Sequence, residues 1–205
     1  MIFEEEAFYH IYTQGNNRRK IFFSRRNYLF FYNKIRKHIL PYCDILAYCL
    51  MPNHFHILIM ANKETLKTKV IGRNKTEKNV LSESIRVMLS SYSQAINKQE
   101  GFSGSLFRQN IKFKKLGNDE YIYNMDSNHN DVYACLSYIH QNPLKAYLVK
   151  RMEDWEFSSF RDFAGMRDDD LVNKELVYEV TNIDKDNFLD QAYTDLPDDI
   201  IDRLL

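Results

Sequence analysis

The stretch "DILAYCLMPNHFHILIM" (residues 44–60) consists of two short β-rich apolar runs, 44–50 and 54–60, separated by Met51-Pro52-Asn53. Proline and asparagine favour turns, and each flanking run has the length of a strand, so the segment predicts a β-hairpin. Its second run carries two histidines one residue apart, His54 and His56. Alternate side chains on a strand share a face, so both imidazoles project to one side while Phe55, Ile57 and Ile59 project to the other. Burying two imidazoles costs free energy unless both find partners. They are either hydrogen-bonded within a sheet or converge on a bound cation. A cation held by two histidines calls for a third protein ligand, with the remaining positions open to water or substrate.

On either side of the hairpin the chain alternates strand and helix signals. "AFYHIYTQG" (7–15) reads as a strand ending at Gly15, followed by the loop "GNNRRK" (15–20). Ser24 is placed to cap a helix running through residue 40. Beyond the hairpin, the polar, Lys-rich stretch 61–79 reads as a mobile loop. Leu81, Ile85, Met88, Leu89, Tyr92, Ala95 and Ile96 then form one apolar helical face, closed by glycines at 101 and 104. "SLFRQNIKFKKL" (105–116) reads as a basic strand, and a polar connection (117–131) leads into a helix over 132–141. The order β-α-β-β-α-β predicts an α+β fold: a ferredoxin-like antiparallel sheet with helices on one face, an added helix, and a C-terminal helical or irregular tail.

The 205 residues carry 28 basic and 28 acidic side chains, a balance that conceals a division. Residues 152–205 hold 16 acidic and 5 basic residues, leaving 12 acidic and 23 basic in 1–151. A basic body that meets a polyanion, with an acidic tail that does not, is the expected arrangement. No run approaches the roughly 18 apolar residues of a membrane span, and the acidic N-terminus is unlike a secretory signal. Three cysteines, Cys43, Cys49 and Cys135, form no CxxC pair, which suits a reduced cytoplasm.

The second informative segment is "YACLSYIHQNPLKAYLV" (133–149). At helical spacing Val132, Cys135, Leu136 and Ile139 make an apolar stripe, with Tyr138 and Asn142 together on one flank, Tyr133 on the other and His140 pointing away. Pro143 places Asn142 at a helix terminus, because the residue before proline is biased out of the α region. An Asn oxygen with two imidazoles suits Mg²⁺ or Mn²⁺ better than a closed zinc site. A tyrosine beside such a metal is a candidate nucleophile on phosphorus.

"CLMPNHFHILI" (49–59) closely resembles the signature of the single-tyrosine HUH transposases of the IS200-like superfamily, with Phe55 as the middle apolar residue. "YHIYTQGNNRRKIFF" (9–23) is similar to the opening of the REP-associated tyrosine transposase branch. "SYIHQNPLKAYLV" (137–149) resembles that branch's Tyr-x-x-x-Asn-Pro-Val-Lys-Ala segment, and "DWEFSSFRDFAG" (154–165) its following Ser-Ser-Tyr block. Leu144 and Tyr147 depart from the valine and glycine usual there.

The resemblance implies His54 and His56 as metal ligands, Asn142 as the third ligand and Tyr138 as nucleophile. The implied reaction cleaves single-stranded DNA at hairpins or palindromes through a 5′-phosphotyrosine, frees a 3′-OH and rejoins strands without ATP. The catalytic domain is expected over 1–151, with a polar insert at about 61–79 that departs from the family pattern, followed by an acidic extension over 152–205 of which only the first part resembles the family's tail. The protein would act as a monomer or homodimer. Arg18, Arg19, Lys20, Arg25, Arg26, Arg108, Lys112, Lys114, Lys115 and Lys145 are candidate phosphate contacts, and Phe107 and Phe113 candidate platforms for unpaired bases. The rival reading is a hairpin-binding protein in which cleavage is weak or lost.

Overall fold

A computed structural model of the chain describes residues 2–72, 74–117, 131–181 and 183–204. In chain order its elements are β1 (Phe8–Gln14), α1 (Arg25–His38), β2 (Cys43–Met51), β3 (His54–Ala61), α2 (Lys63–Leu66), β4 (Thr68–Ile71), β5 (Thr76–Asn79), α3 (Val80–Glu100), β6 (Lys112–Lys115) and α4 (Asp131–Lys145). Four short helices follow: α5 (Phe160–Phe163), α6 (Lys174–Thr181), α7 (Phe188–Ala192) and α8 (Asp198–Leu204).

The hairpin forms where the turn residues put it. β2 and β3 pair antiparallel from Cys43↔Ala61 to Met51↔His54, so Pro52 and Asn53 alone make the turn. β1 pairs antiparallel with the other edge of β3, and β6 with β1, giving the sheet order β2-β3-β1-β6. This is the α+β, ferredoxin-like sheet expected from the element order.

One face of the sheet carries Phe55 and its neighbours against α1 and α3. Tyr28, Phe31 and Ile35 recur at helical spacing and are buried, and Phe31 lies 5.0 Å from Phe55 and 4.8 Å from Tyr92, ring centre to ring centre. Asn27 closes the first turn of α1: its Oδ1 accepts from the backbone N–H groups of Phe23 and Ser24 at 3.0 and 3.1 Å. Phe31→Ala would leave a void among Phe22, Phe55, Tyr92 and Phe107. A loss of about 3–5 kcal/mol is expected, read from urea unfolding.

Helices do not stay on one face, however. α4 lies against β2 and β3 on the histidine side, and α6, α7 and α8 pack on α4. Residues 157–159 run along the edge of β2, with Leu50 N–H donating to Phe157 O and Ser159 N–H to Tyr48 O, both at 2.9 Å. That pairing covers an edge that would otherwise stand open. The acidic segment is also tied to the basic body: Glu156 pairs with Arg25, and Asp169 and Asp170 with Arg36.

Three local expectations change. The stretch 61–79 is α2 and a β4–β5 hairpin rather than an irregular loop. Asn62 caps α2 by accepting from Glu64 and Thr65 N–H, and Gly72 takes the turn at φ 73°. The strand expected over 105–116 contracts to Lys112–Lys115, preceded by an isolated bridge of Phe107 to Gly15. α4 continues through Pro143 to Lys145, so Asn142 sits inside the helix. The proline lacks an N–H, yet Asn142 O still accepts from Ala146 N–H at 2.9 Å and the helix carries on. Most of the polar connection 117–131 lies outside the described residues.

Candidate active site

The first, turn-proximal residues of β3 put His54 and His56 on the α4 side, ring centres 5.0 Å apart. Their tautomers follow from what each Nδ1 meets. Asn53 Nδ2 donates to Arg18 O at 3.3 Å, which turns its Oδ1 toward His54 Nδ1 at 2.6 Å. An amide oxygen only accepts, so His54 Nδ1 carries the proton and Nε2 keeps a lone pair. His56 Nδ1 lies 2.8 Å from His10 Nε2 on the neighbouring strand. Burial lowers the pKa of His54, and lowers that of His56 well below 6.5, aided by its imidazole neighbours. Both rings are therefore neutral at pH 7.

α4 brings the other half. Tyr138 stands edge-on to His56, ring centres 5.3 Å apart, and its own phenol pKa is raised by burial while a hydrogen bond from Asn142 pulls it back. Asn142 Nδ2 donates to Tyr138 O at 3.3 Å, which directs Oδ1 at His54 Nε2, 3.4 Å away. With the His54 proton on Nδ1, two lone pairs face one another across that gap. Two acceptors so placed suit a cation, since cis ligands about 2.1 Å from Mg²⁺ stand about 3 Å apart. Among the described residues no group of three His, Cys, Asp or Glu is placed to hold a metal. A cation here would thus rest on two imidazoles, an amide oxygen and outside ligands, a mixed nitrogen and oxygen donor set that fits a divalent ion.

The model of one family, the IS200-like transposases, matches residues 4–142. The chain belongs to that family. Its fold is similar to that of a solved REP-associated tyrosine transposase bound to a REP hairpin, with a TM-score of 0.56, 15% sequence identity, and coverage of 84% of this chain and 92% of the other. No curated protein sequence matches significantly.

In this IS200-like transposase the candidate cations divide into groups. Arg18, Arg19 and Lys20 form the turn after β1, which is fastened beside His54 by Gly15 N–H to Asn53 O at 2.7 Å and Ile21 N–H to Pro52 O at 2.8 Å. Arg108 joins them, its N–H donating to Gln14 O at 2.9 Å. Arg19 turns back onto Ser105 O and over the Phe102 ring. Lys112 and Lys114 pair with Tyr12 and His10, and directly paired residues share a face, so both lie on the imidazole side. Lys145 is exposed in the last turn of α4, one turn beyond Asn142. Three cations are not part of this group: Arg25 is held by Glu156, Lys115 by Glu4, and Arg26 lies in the first turn of α1. Phe107 is buried among Phe31, Phe55 and Tyr92, and Phe113 packs on Phe3, so neither is a free stacking platform.

Gly15 is where the basic turn meets the hairpin. A Cβ there would lie 2.2 Å from Arg19 O, a clash that only backbone movement can relieve. Gly15→Ala is expected to lower stability by about 1–3 kcal/mol and to displace Arg18–Lys20, checked by thermal unfolding beside a hairpin-binding titration.

Proposed function

We propose that the chain is a metal-dependent single-stranded DNA endonuclease and strand transferase acting on DNA hairpins. Tyr138 is the nucleophile, His54, His56 and Asn142 would hold the divalent ion, Mg²⁺ or Mn²⁺, and Arg18, Arg19, Lys20, Arg108, Lys112, Lys114 and Lys145 contact phosphates. The observation that carries this reading is that Tyr138 packs edge-on to His56 while Asn142, one turn along the same helix, sets its Oδ1 3.4 Å from His54 Nε2. A divalent ion there would polarise the scissile phosphate.

The chain's own residues do the rest. Tyr138 Oη forms a bond to phosphorus as the bond to the 3′ oxygen breaks. The phenol proton goes to solvent, and the 3′ oxygen takes one up as a free 3′-OH. The phosphodiester is conserved as a 5′-phosphotyrosine, which a 3′-OH then attacks to rejoin strands and restore the phenol. Lys112 and Lys114 on the same face hold the strand's phosphates, while the 18–20 turn grips the hairpin beside β3.

We assign the catalytic body to residues 1–151 and an extension to 152–205. Both halves of the centre come from one chain, so a monomer suffices. Residues 137–149 and the hairpin 49–59 both keep the donors that cleavage needs; a protein that only binds hairpins has no use for them. Among the described residues no helix is long and apolar enough to cross a membrane, and the three cysteines are free and buried, in keeping with action on DNA in the cytoplasm. Incubating the protein with an end-labelled single-stranded hairpin and Mn²⁺ should give a covalent protein–DNA adduct that survives denaturation; its absence over a panel of hairpins from around the gene would refute cleavage and leave a binding protein.

A further inference from the structure

His10 and the last turn of the chain have no role in the reading so far, yet they are joined to its centre. His10 lies on β1, wholly buried, with its ring stacked on His56 at 5.0 Å. Its Nδ1 is 2.9 Å from the main-chain oxygen of Leu204 in α8, and its Nε2 is 2.8 Å from His56 Nδ1. We infer that His10, locked by the Leu204 carbonyl, is a positioning residue that fixes the proton of His56 on Nδ1 and so presents His56 Nε2 as a metal-binding lone pair.

The direction of the relay follows from the groups at its ends. A carbonyl oxygen cannot donate, so the His10 proton is on Nδ1. A singly protonated His10 then has only a lone pair at Nε2. That lone pair faces His56 Nδ1, which must supply the proton between them. His56 is left with a bare Nε2. Burial first, and then the charge of Lys114 across the β1–β6 pairing, oppose a second proton on the His10 ring against the pull of the Leu204 carbonyl. Reversing any link would oppose two donors or two acceptors in a buried place, at the cost of an unsatisfied polar group. A ring nitrogen that fixes the far nitrogen of a metal-binding imidazole also orients the ring and raises its basicity. The free chain thereby holds His56 in its less common tautomer before any cation arrives, and an element 194 residues away along the chain does the holding.

This inference rests on the metal-centre reading of His56, and its first test does not depend on metal or DNA. Long-range ¹H–¹⁵N spectra of the full-length protein labelled at histidine should show His10 and His56 protonated at Nδ1 and bare at Nε2; His56 protonated at Nε2 would overturn the relay. In His10→Phe a planar ring, somewhat larger, is kept and the acceptor is lost. His56 should then shift toward the Nε2–H form, and Mn²⁺ affinity, read by electron paramagnetic resonance, should fall about 10–100-fold. His10→Gln, whose amide oxygen can accept from His56 Nδ1, should restore the tautomer and most of the affinity. Adduct formation in the Phe variant should recover at saturating Mn²⁺. A His10→Phe protein with unchanged tautomer and Mn²⁺ affinity, or a Gln variant no better than Phe, would refute the inference. A wild-type protein with the relay in place that binds no Mn²⁺ would instead overturn the metal reading while upholding the relay.

Discussion

Tyr138→Phe is expected to abolish the covalent adduct with hairpin DNA, a loss of more than about 10⁴-fold, because a nucleophile has no substitute in a covalent mechanism. The change removes one oxygen and keeps the ring that packs edge-on to His56 and His10. Folding and hairpin affinity should therefore stay near wild type, and a gel-shift titration beside the adduct assay separates binding from chemistry. Two other phenols serve as controls. Tyr133 lies elsewhere on α4 and donates to Gln191 O at 3.2 Å, so Tyr133→Phe should leave the adduct intact. Tyr12 is the more searching control, since its ring stands 5.7 Å from that of His56 on the same face of the sheet. An adduct that survives Tyr138→Phe and disappears in Tyr12→Phe would move the nucleophile from α4 to β1.

How much of this could be read from the chain depends on the range of the interactions involved. Strand alternation alone places His54 and His56 on one face, and helical spacing alone pairs Tyr138 with Asn142; both are local geometry. The sheet order follows from the element order. What local reasoning misses is cross-strand or longer. Strand alternation puts His10 and Tyr12 on one face of β1, but only the register of β1 against β3, with Tyr12 opposite His56, sets that face on the side of His54 and His56. Asn53 is a turn former by its residue type, and its second use, fixing the His54 proton, depends on Arg18 O arriving from another turn. Pro143 misled because its rule is statistical: the residue before a proline can stay helical when the rest of the turn keeps its bonds. Tyr147 shows the reverse case. It is 94% exposed with a left-handed φ of 55°, a conformation that glycine adopts without steric cost, which explains why the related pattern has glycine there.

The same distinction governs His140, which helical spacing sets pointing away from the stripe that carries Tyr138. It points into a second interior. It is buried beneath the 157–163 segment, with Nε2 2.8 Å from Ser159 Oγ and Phe160 and Phe163 at its ring. Ser159 Oγ accepts in turn from Tyr48 N–H on β2 at 2.9 Å, so His140 belongs to the joint between α4, the tail segment and the sheet. Burial lowers its pKa to about 3. The sign of the consequence is fixed by linkage: the unfolded chain takes up a proton near pH 6.5 and the folded one does not until about pH 3, so this group's stabilising effect is complete above pH 6.5 and is lost as pH falls toward 3. The expected slope is about 1.4 kcal/mol per pH unit from this one side chain. Urea unfolding at half-unit steps from pH 7.5 to 4.5 should show it, and His140→Gln, which keeps a partner for Ser159 and cannot take the charge, should flatten the profile by that amount. A wild-type profile already flat over this window would mean the imidazole is reached by water. Because α4 carries Tyr138, adduct formation should fail at acid pH by release of this helix, and His140→Gln should hold activity to lower pH than the wild type.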